Sequence, residues 1–175
     1  LAQLLAVPNT ANASLNVLDE APESQRNELP ILIQRNWTLW VLGDMAELRK
    51  GIDQGLARQR SPELLIQDAM WKLRSGNPAA GRAALEEALR IDPSDLRALA
   101  ILKDSYLAEK KNAVAVQKVK EYAAKQPKSA PVQHFLGTLL MASGSPEQAK
   151  AAFTAAKAAD PQFVPADLSL VQMAV

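Results

Sequence analysis

"EEALRIDPSDLRAL", residues 86 to 99, reads as the end of one helix, a stop at Pro93 and the start of a second helix. The same punctuation returns at Pro127 in "AAKQPKSAPV" and at Pro161 in "AAKAADPQFV", so the three stops are evenly spaced along the chain. Set against itself at that interval, the chain aligns Gly81 with Ala115 and Ala149, Leu85 with Val119 and Phe153, and Ala88 with Tyr122 and Ala156. These columns are spaced four and then three, so a small residue, a large apolar one and a mostly small one share one helical face. Such a face is built to meet a neighbouring helix closely. Ahead of each of these helices stands a break with a capping residue: Gly76 and Asn77 before Pro78, Asn112 after Lys110 and Lys111, and Gly144 and Ser145 before Pro146. Asn and Ser oxygens accept from the free N–H groups of a first turn, and Pro at the first helical position gives up an N–H that has no partner there. Each unit is therefore expected to be a helical hairpin.

The pattern extends toward the N-terminus in a degraded form. Gly43 and Asp44 precede Gly76 and Asn77 by one position less than the full interval, and "GDMAELRKGIDQGL" puts Leu48, Ile52 and Gly55 on one face. The expected organisation is a degenerate unit over 29–61 and fuller units over 62–95, 96–129 and 130–163. Residues 1–28 fit two descriptions. Leu18 and Ala21 lie one full interval before Ile52 and Gly55, as in a partial degenerate repeat; the stretch is also rich in Asn, Ser, Pro and acids, with a local charge of −3, as in a flexible leader. Residues 164–175 predict a capping helix or the first helix of a truncated further unit. The start at Leu1 and the stop at Val175 within an apolar pattern suggest an excised or processed piece.

Composition narrows the function classes. With 175 residues, 48% hydrophobic and 22% charged, the chain is ordinary for a folded domain, and its net charge of +1 gives no excess to draw it onto nucleic acid. No apolar run suits membrane insertion, and the first residues lack the pattern of a secretion signal. Cysteine is absent and His134 is the sole histidine, so thiol chemistry and a His or Cys metal site have no second partner. Glu86 and Glu87 occupy adjacent helical positions and point apart, and Asp92, Asp95 and Asp160 flank helix ends, where acids serve as caps or complement the helix dipole. "GNPAAG" lacks the Lys and Ser or Thr of a phosphate loop. No enzyme activity, cofactor or metal is expected.

The 34-residue period, the small residues Gly81, Ala115 and Ala149, the apolar Leu85, Val119 and Phe153, the Ala88 and Ala156 column and the closing prolines resemble the tetratricopeptide repeat (TPR) family. In the first helices, Leu102 with Tyr106 and Leu136 with Gly137 match the same pattern. Tyr122 and Lys110 depart from it, standing where the family has a small residue and a turn glycine. The resemblance implies an all-α fold, a right-handed α-solenoid of stacked antiparallel helix hairpins, whose concave face is lined by the first helices and holds a partner protein or peptide. Phrases such as "LRSGNPAAGRAALEEAL" further resemble bacterial envelope proteins with long repeat arrays; the compartment stays open between cytoplasm and periplasm or envelope.

Assigning the concave face depends on register, since a slip of one residue rotates a helical face by about 100°. In "ILIQRNWTLWVLGD" we place Ile33, Trp37 and Trp40 in the core and Gln34, Thr38 and Val41 toward the partner, because the alternative puts Arg35 and Asn36 in a packing seam. By the same logic "LLIQDAMWKLRSG" buries Ile66, Ala69, Met70 and Leu73 and turns Gln67, Trp71 and Arg74 outward; Trp71 could instead cover the seam to an adjacent hairpin. Arg97, Asp104, His134 and Thr138 continue the surface. Its composition does not make the Lys, Asn and Arg clamp by which some family members hold carboxylates. Residues 96–129 carry eight Lys and Arg against three acids, a local +5, with Lys118, Lys120 and Lys125 on a second helix where a solvated face is expected.

Two functional expectations follow. One is a non-catalytic interaction scaffold holding a partner on its concave face. The other is a structural segment of a longer repeat array in a bacterial envelope assembly or secretion system. "LSLVQMAV", apolar where an end cap should be polar, favours stacking on further repeats or on a second copy.

Overall fold

The computed structural model describes residues 8–174. Eleven helices run among them, with no strand: α1 (Pro8–Asp19), α2 (Glu23–Arg26), α3 (Leu29–Leu42), α4 (Met45–Arg58), α5 (Pro62–Arg74), α6 (Pro78–Ile91), α7 (Leu96–Ala108), α8 (Asn112–Lys125), α9 (Ala130–Ala142), α10 (Pro146–Ala159) and α11 (Val164–Gln172). Of the stretch 1–28, expected to be a leader or a partial repeat, residues 1–7 lie outside the described residues, and α1 and α2 occupy most of the remainder. The fold is all-α, of the stacked-hairpin class. It divides into two compact units, Leu1–Ala88 and Leu89–Val175.

The bends inside the hairpins share one backbone solution. Gly43, Gly76, Lys110 and Gly144 have φ of 78°, 77°, 59° and 73°, the left-handed region that glycine enters at no steric cost. At each bend the next residue's N–H reaches back to the carbonyl five positions earlier: Asp44 to Leu39 at 3.1 Å, Asn77 to Lys72 at 2.9 Å, Lys111 to Tyr106 at 2.9 Å and Ser145 to Leu140 at 2.9 Å. This is the Schellman closure of a helix C-terminus. Lys110 adopts it with a side chain attached.

The caps differ more than the bends. Asp44 accepts from the N–H of Glu47 at 3.1 Å and Asn77 from that of Ala80 at 3.2 Å. Asn112 is the first residue of α8, not its cap; Lys111 stands at the cap, and neither it nor Ser145 makes a side-chain cap bond. Asp95 caps α7 through the N–H groups of Arg97 and Ala98, at 2.8 and 3.1 Å.

In the first unit α3 packs against α1, α4 and α5. Leu39, Leu48 and Ile52 form its apolar cluster, with Leu15 of α1 and Trp71 of α5 against it. Arg35 reaches back to Asp19 at 2.7 Å. The face of α3 is not the one expected from sequence. Leu32, Asn36, Thr38 and Leu39 are buried, while Ile33, Trp37 and Trp40 are half-buried. The reason is a pair of amides. Asn36 donates to the side-chain carbonyl of Gln67 at 2.9 Å, and Gln67 donates to the Ile33 carbonyl at 3.0 Å. A buried amide supplied with such partners escapes most of the cost that argued against this register.

In the second unit the repeat columns are buried alike. Ala115 and Ala149, Val119 and Phe153, and Ala156 are 3% exposed or less; Tyr122 is half-buried. Gly137 lies flat against Phe153, since a Cβ there would sit 2.4 Å from the ring. Leu140, Ala149, Ala152 and Phe153 make one cluster, and Ala130, Ala156 and Ala166 bind α9, α10 and α11 in another. Gln133 donates to the carbonyls of Ala123 and Gln126, at 2.8 and 3.0 Å, and so closes the end of α8 onto α9.

Candidate functional site

The surface residues expected from sequence fall into three groups. Thr38 and Gln67 are corrected outright: they are 0% and 2% exposed, Thr38 bonded to the Gln34 carbonyl and Gln67 committed to Asn36 and Ile33, so neither can meet a partner. Gln34 is half-buried and lines a depression with Thr10, Ser14 and Leu18 of α1, which occupies the side of α3 expected to be open. Trp71 behaves as a seam residue. Its indole N–H donates to the Met45 carbonyl at 3.1 Å, and Arg49 lies over its ring at 5.0 Å.

A polar lattice surrounds that tryptophan. Asp68, 3% exposed, receives Arg49 and Lys72 at 2.6 Å each, and Arg49 also grips Asp53. Trp37 donates to Glu63 at 2.7 Å. Arg74 is exposed and covers Trp40 at 5.5 Å. These groups bond to one another and hold α3, α4 and α5 together. They offer a partner little beyond the rim formed by Arg74.

The second unit presents a different surface. Arg97, Asp104 and Thr138 are exposed and His134 is half-buried. Between α7 and α9 opens a cavity of about 290 Å³, lined among others by Lys103, Leu107, His134, Phe135, Thr138 and Phe163. Of the four expected residues on these helices, it gathers His134 and Thr138; Arg97 and Asp104 lie outside its lining. Asp104 pairs with Lys103 at 2.8 Å, and the Lys103 ammonium stands 5.6 Å from the Phe135 ring. Phe135 and Phe163 were not anticipated. The signal available was their place on the first helix and just before α11, one residue away from positions chosen for polarity.

His134 serves structure as well as surface. Its ring packs against Phe153 and Phe163 at 5.2 and 5.6 Å, and its Nε2 lies 3.0 Å from the Ser169 hydroxyl on α11. Burial lowers its pKa from the ordinary value, and a bond with the Pro165 backbone offsets part of that. The imidazole is thus held neutral at pH 7. A second cavity of about 230 Å³ follows on the far side of α9, lined by Thr138, Met141, Phe153, Ser169, Gln172 and Met173. Thr138 belongs to both.

The lysines of α8 are engaged locally: Lys118 with Glu121 at 3.8 Å, Lys120 with Gln148 at 2.7 Å, and Lys125 above Tyr122 at 5.4 Å. Among the described residues no helix is long and apolar enough to cross a membrane, and no three His, Asp or Glu side chains stand where they could hold a metal ion.

Residues 106–173 match a family model described as tetratricopeptide repeat. Among solved structures, the C-terminal part of a TPR repeat-containing protein from Cytophaga hutchinsonii aligns over 98% of this chain and 68% of its own, with 13% identity and a TM-score of 0.64. A thermophilic TPR protein of Thermus thermophilus aligns over 94% and 91%, with 15% identity and a TM-score of 0.59. YrrB, described as a TPR protein with an unusual peptide-binding site, aligns over 96% and 87%, with 16% identity and a TM-score of 0.53. No curated protein matches in sequence.

Proposed function

Starting from a tetratricopeptide repeat protein, as the matched repeats and the fold make this chain, we propose that it is a non-catalytic scaffold that binds a partner protein or peptide on the concave face lined by its first helices. The observation that carries this is the apolar cavity between α7 and α9, open to solvent beside exposed Thr138 and rimmed by Lys103. Apolar concavities with a few polar groups are where proteins take ligands, and buried aromatic and cationic side chains concentrate binding energy. The partner-facing set becomes Lys103, His134, Phe135 and Thr138, with Arg97, Asp104 and Arg74 on the rim. Affinity capture from native extract tests it, with Thr138→Arg, which fills the opening from an exposed position, as the control. A protein retained by the parent and lost with Thr138→Arg supports the reading; retention by both places the contact elsewhere.

A second reading rests on α11. Val164, Leu168 and Val171 are 61%, 59% and 64% exposed and recur at intervals of four and three, one apolar stripe on an outer helix face. A stripe of this kind suits stacking on further repeats in a longer array, or on a second copy. The mass in solution across a concentration series checks it. Concentration-dependent association abolished by Leu168→Glu supports stacking, and a monomer at every concentration removes it.

A further inference from the structure

A groove that takes a partner also constrains the chemistry of its occupant, and the inference drawn from that constraint rests on the groove reading. The two cavities flank a single helix. One lies between α7 and α9, the other where α9 meets α10 and α11, and Thr138 is the one side chain lining both. With volumes of about 290 and 230 Å³ each holds one side chain, not a folded segment. Helix α9 packs against both α7 and α11. Packed helix axes lie 8–10 Å apart, so the seams on either side of α9 are separated by about 9 Å.

That spacing selects a backbone. In a polyproline II helix, with three residues per turn and about 3.1 Å per residue, positions i and i+3 project from the same side about 9.3 Å apart. A β-strand offers same-side neighbours only at about 6.6 or 13 Å. An α-helix offers i and i+7 at about 10.5 Å, but its cylinder of about 10 Å also brings i+3 and i+4 down onto the Thr138 ridge. The two sites differ in lining. His134, Phe135 and Phe163 give the first cavity aromatic walls suited to an aromatic side chain. Met141 and Met173 give the second adaptable thioether walls suited to varied aliphatic ones. Neither lining includes an acid, and the first has the Lys103 ammonium, whose partner Asp104 is 63% exposed and readily exchanged for another carboxylate.

We propose that the second unit binds an extended polyproline II segment of a partner protein, with an aromatic anchor and an aliphatic anchor three residues apart and an acidic residue beside the aromatic one. The segment runs across α9 with Thr138 beneath its two intervening residues.

Fluorescence anisotropy with labelled ten-residue peptides containing Asp-Phe-Pro-Ser-Leu, and its reverse Leu-Ser-Pro-Phe-Asp, tests the proposal on the full chain. One sequence is expected to bind in the micromolar range. Adding or removing one residue between the anchors should weaken it about tenfold, since one side chain then misses its cavity. Lys103→Gln should lower the affinity and flatten its salt dependence, and Thr138→Arg should abolish binding with an unchanged circular dichroism spectrum. Equal binding of all spacings, or stronger binding of a helical peptide with anchors seven apart, overturns the proposal and leaves the groove reading standing. If no peptide binds while the parent, and not Thr138→Arg, captures a protein from extract, this inference fails alone; if capture fails too, both fail.

Discussion

In the last hairpin a glycine of the first helix, Gly137, lies beneath the ring of Phe153 on the second. In the hairpin of α3 and α4 the sizes are exchanged: Gly51 of the second helix lies beneath the amide of Asn36 on the first, where a Cβ would come within 2.0 Å of Oδ1. Asn36 and Gly137 hold the same place in the repeat, three units apart. Close approach needs one small partner, and either helix can supply it. The choice has consequences. Phe153 extends an apolar core and closes one wall of a cavity, whereas Asn36 brings a polar atom inside that must be answered from α5 by Gln67. The first unit thereby becomes locked by specific bonds, and the second keeps an apolar surface with open sites.

The largest effect is expected where that polar lock is broken on one side. Gln67→Ala leaves the Asn36 amide buried without its acceptor and opens a void, at a cost of about 3 kcal/mol in urea unfolding of the full chain. Asn36→Leu combined with Gln67→Leu, which gives this seam the character of the second unit, should return stability to within about 1 kcal/mol of the parent. A double variant as weak as the single one would mean that the bond does not set the geometry.

Next come the glycines. Gly51→Ala and Gly137→Ala should each cost about 2 kcal/mol through overpacking. Asn36→Ala should relieve the first and leave the second unrelieved, and Phe153→Leu the reverse; cross-relief measured by double-mutant cycles would dissolve the comparison. Smaller, and opposite in sign, is Lys110→Gly. Removing a side chain from a left-handed bend should raise stability by about 1 kcal/mol, a gain of a few degrees in melting temperature.

The weakest effect concerns pH and separates the units by chemistry. Burial lowers the pKa of His134, so the unfolded chain binds the proton more readily than the folded one. The stability it confers is complete above the unfolded value of about 6.5 and is lost as pH falls through that value toward the folded one. The groups around it are Ser169, the Pro165 backbone, Phe153 and Phe163, with Lys103 across the cavity; Asp167 on α11 is engaged by Lys157. Melting of the parent between pH 7.5 and 5 should decline more steeply than that of His134→Gln. Parallel profiles would show that α11 does not depend on a neutral imidazole.

The period was legible because it is local. Leu85, Val119 and Phe153 repeat in step with the prolines, and each occupies a buried place in its own hairpin. The open surface of the last two hairpins was partly legible for the same reason: Thr138 and His134 lie where the period puts them. The face of α3 was not. It depends on Asn36 meeting Gln67, 31 residues away, and on Gly51 making room, and hydropathy scores an amide as a surface residue whatever its partner. The outward place given to Trp71 failed similarly, because its indole N–H is satisfied by a carbonyl at the start of α4 that no side-chain pattern reveals.

The bends at Lys110 and Gly144 leave the chain heading into its next helix through the same left-handed step and the same reach-back bond. Residues 111–144 could then be excised whole, joining Lys110 to Ser145 without asking either flank for a new backbone shape. Such a chain would lose one hairpin and remain continuous in its joints. Growth and shortening by whole modules is therefore open to this architecture at the level of a single peptide bond.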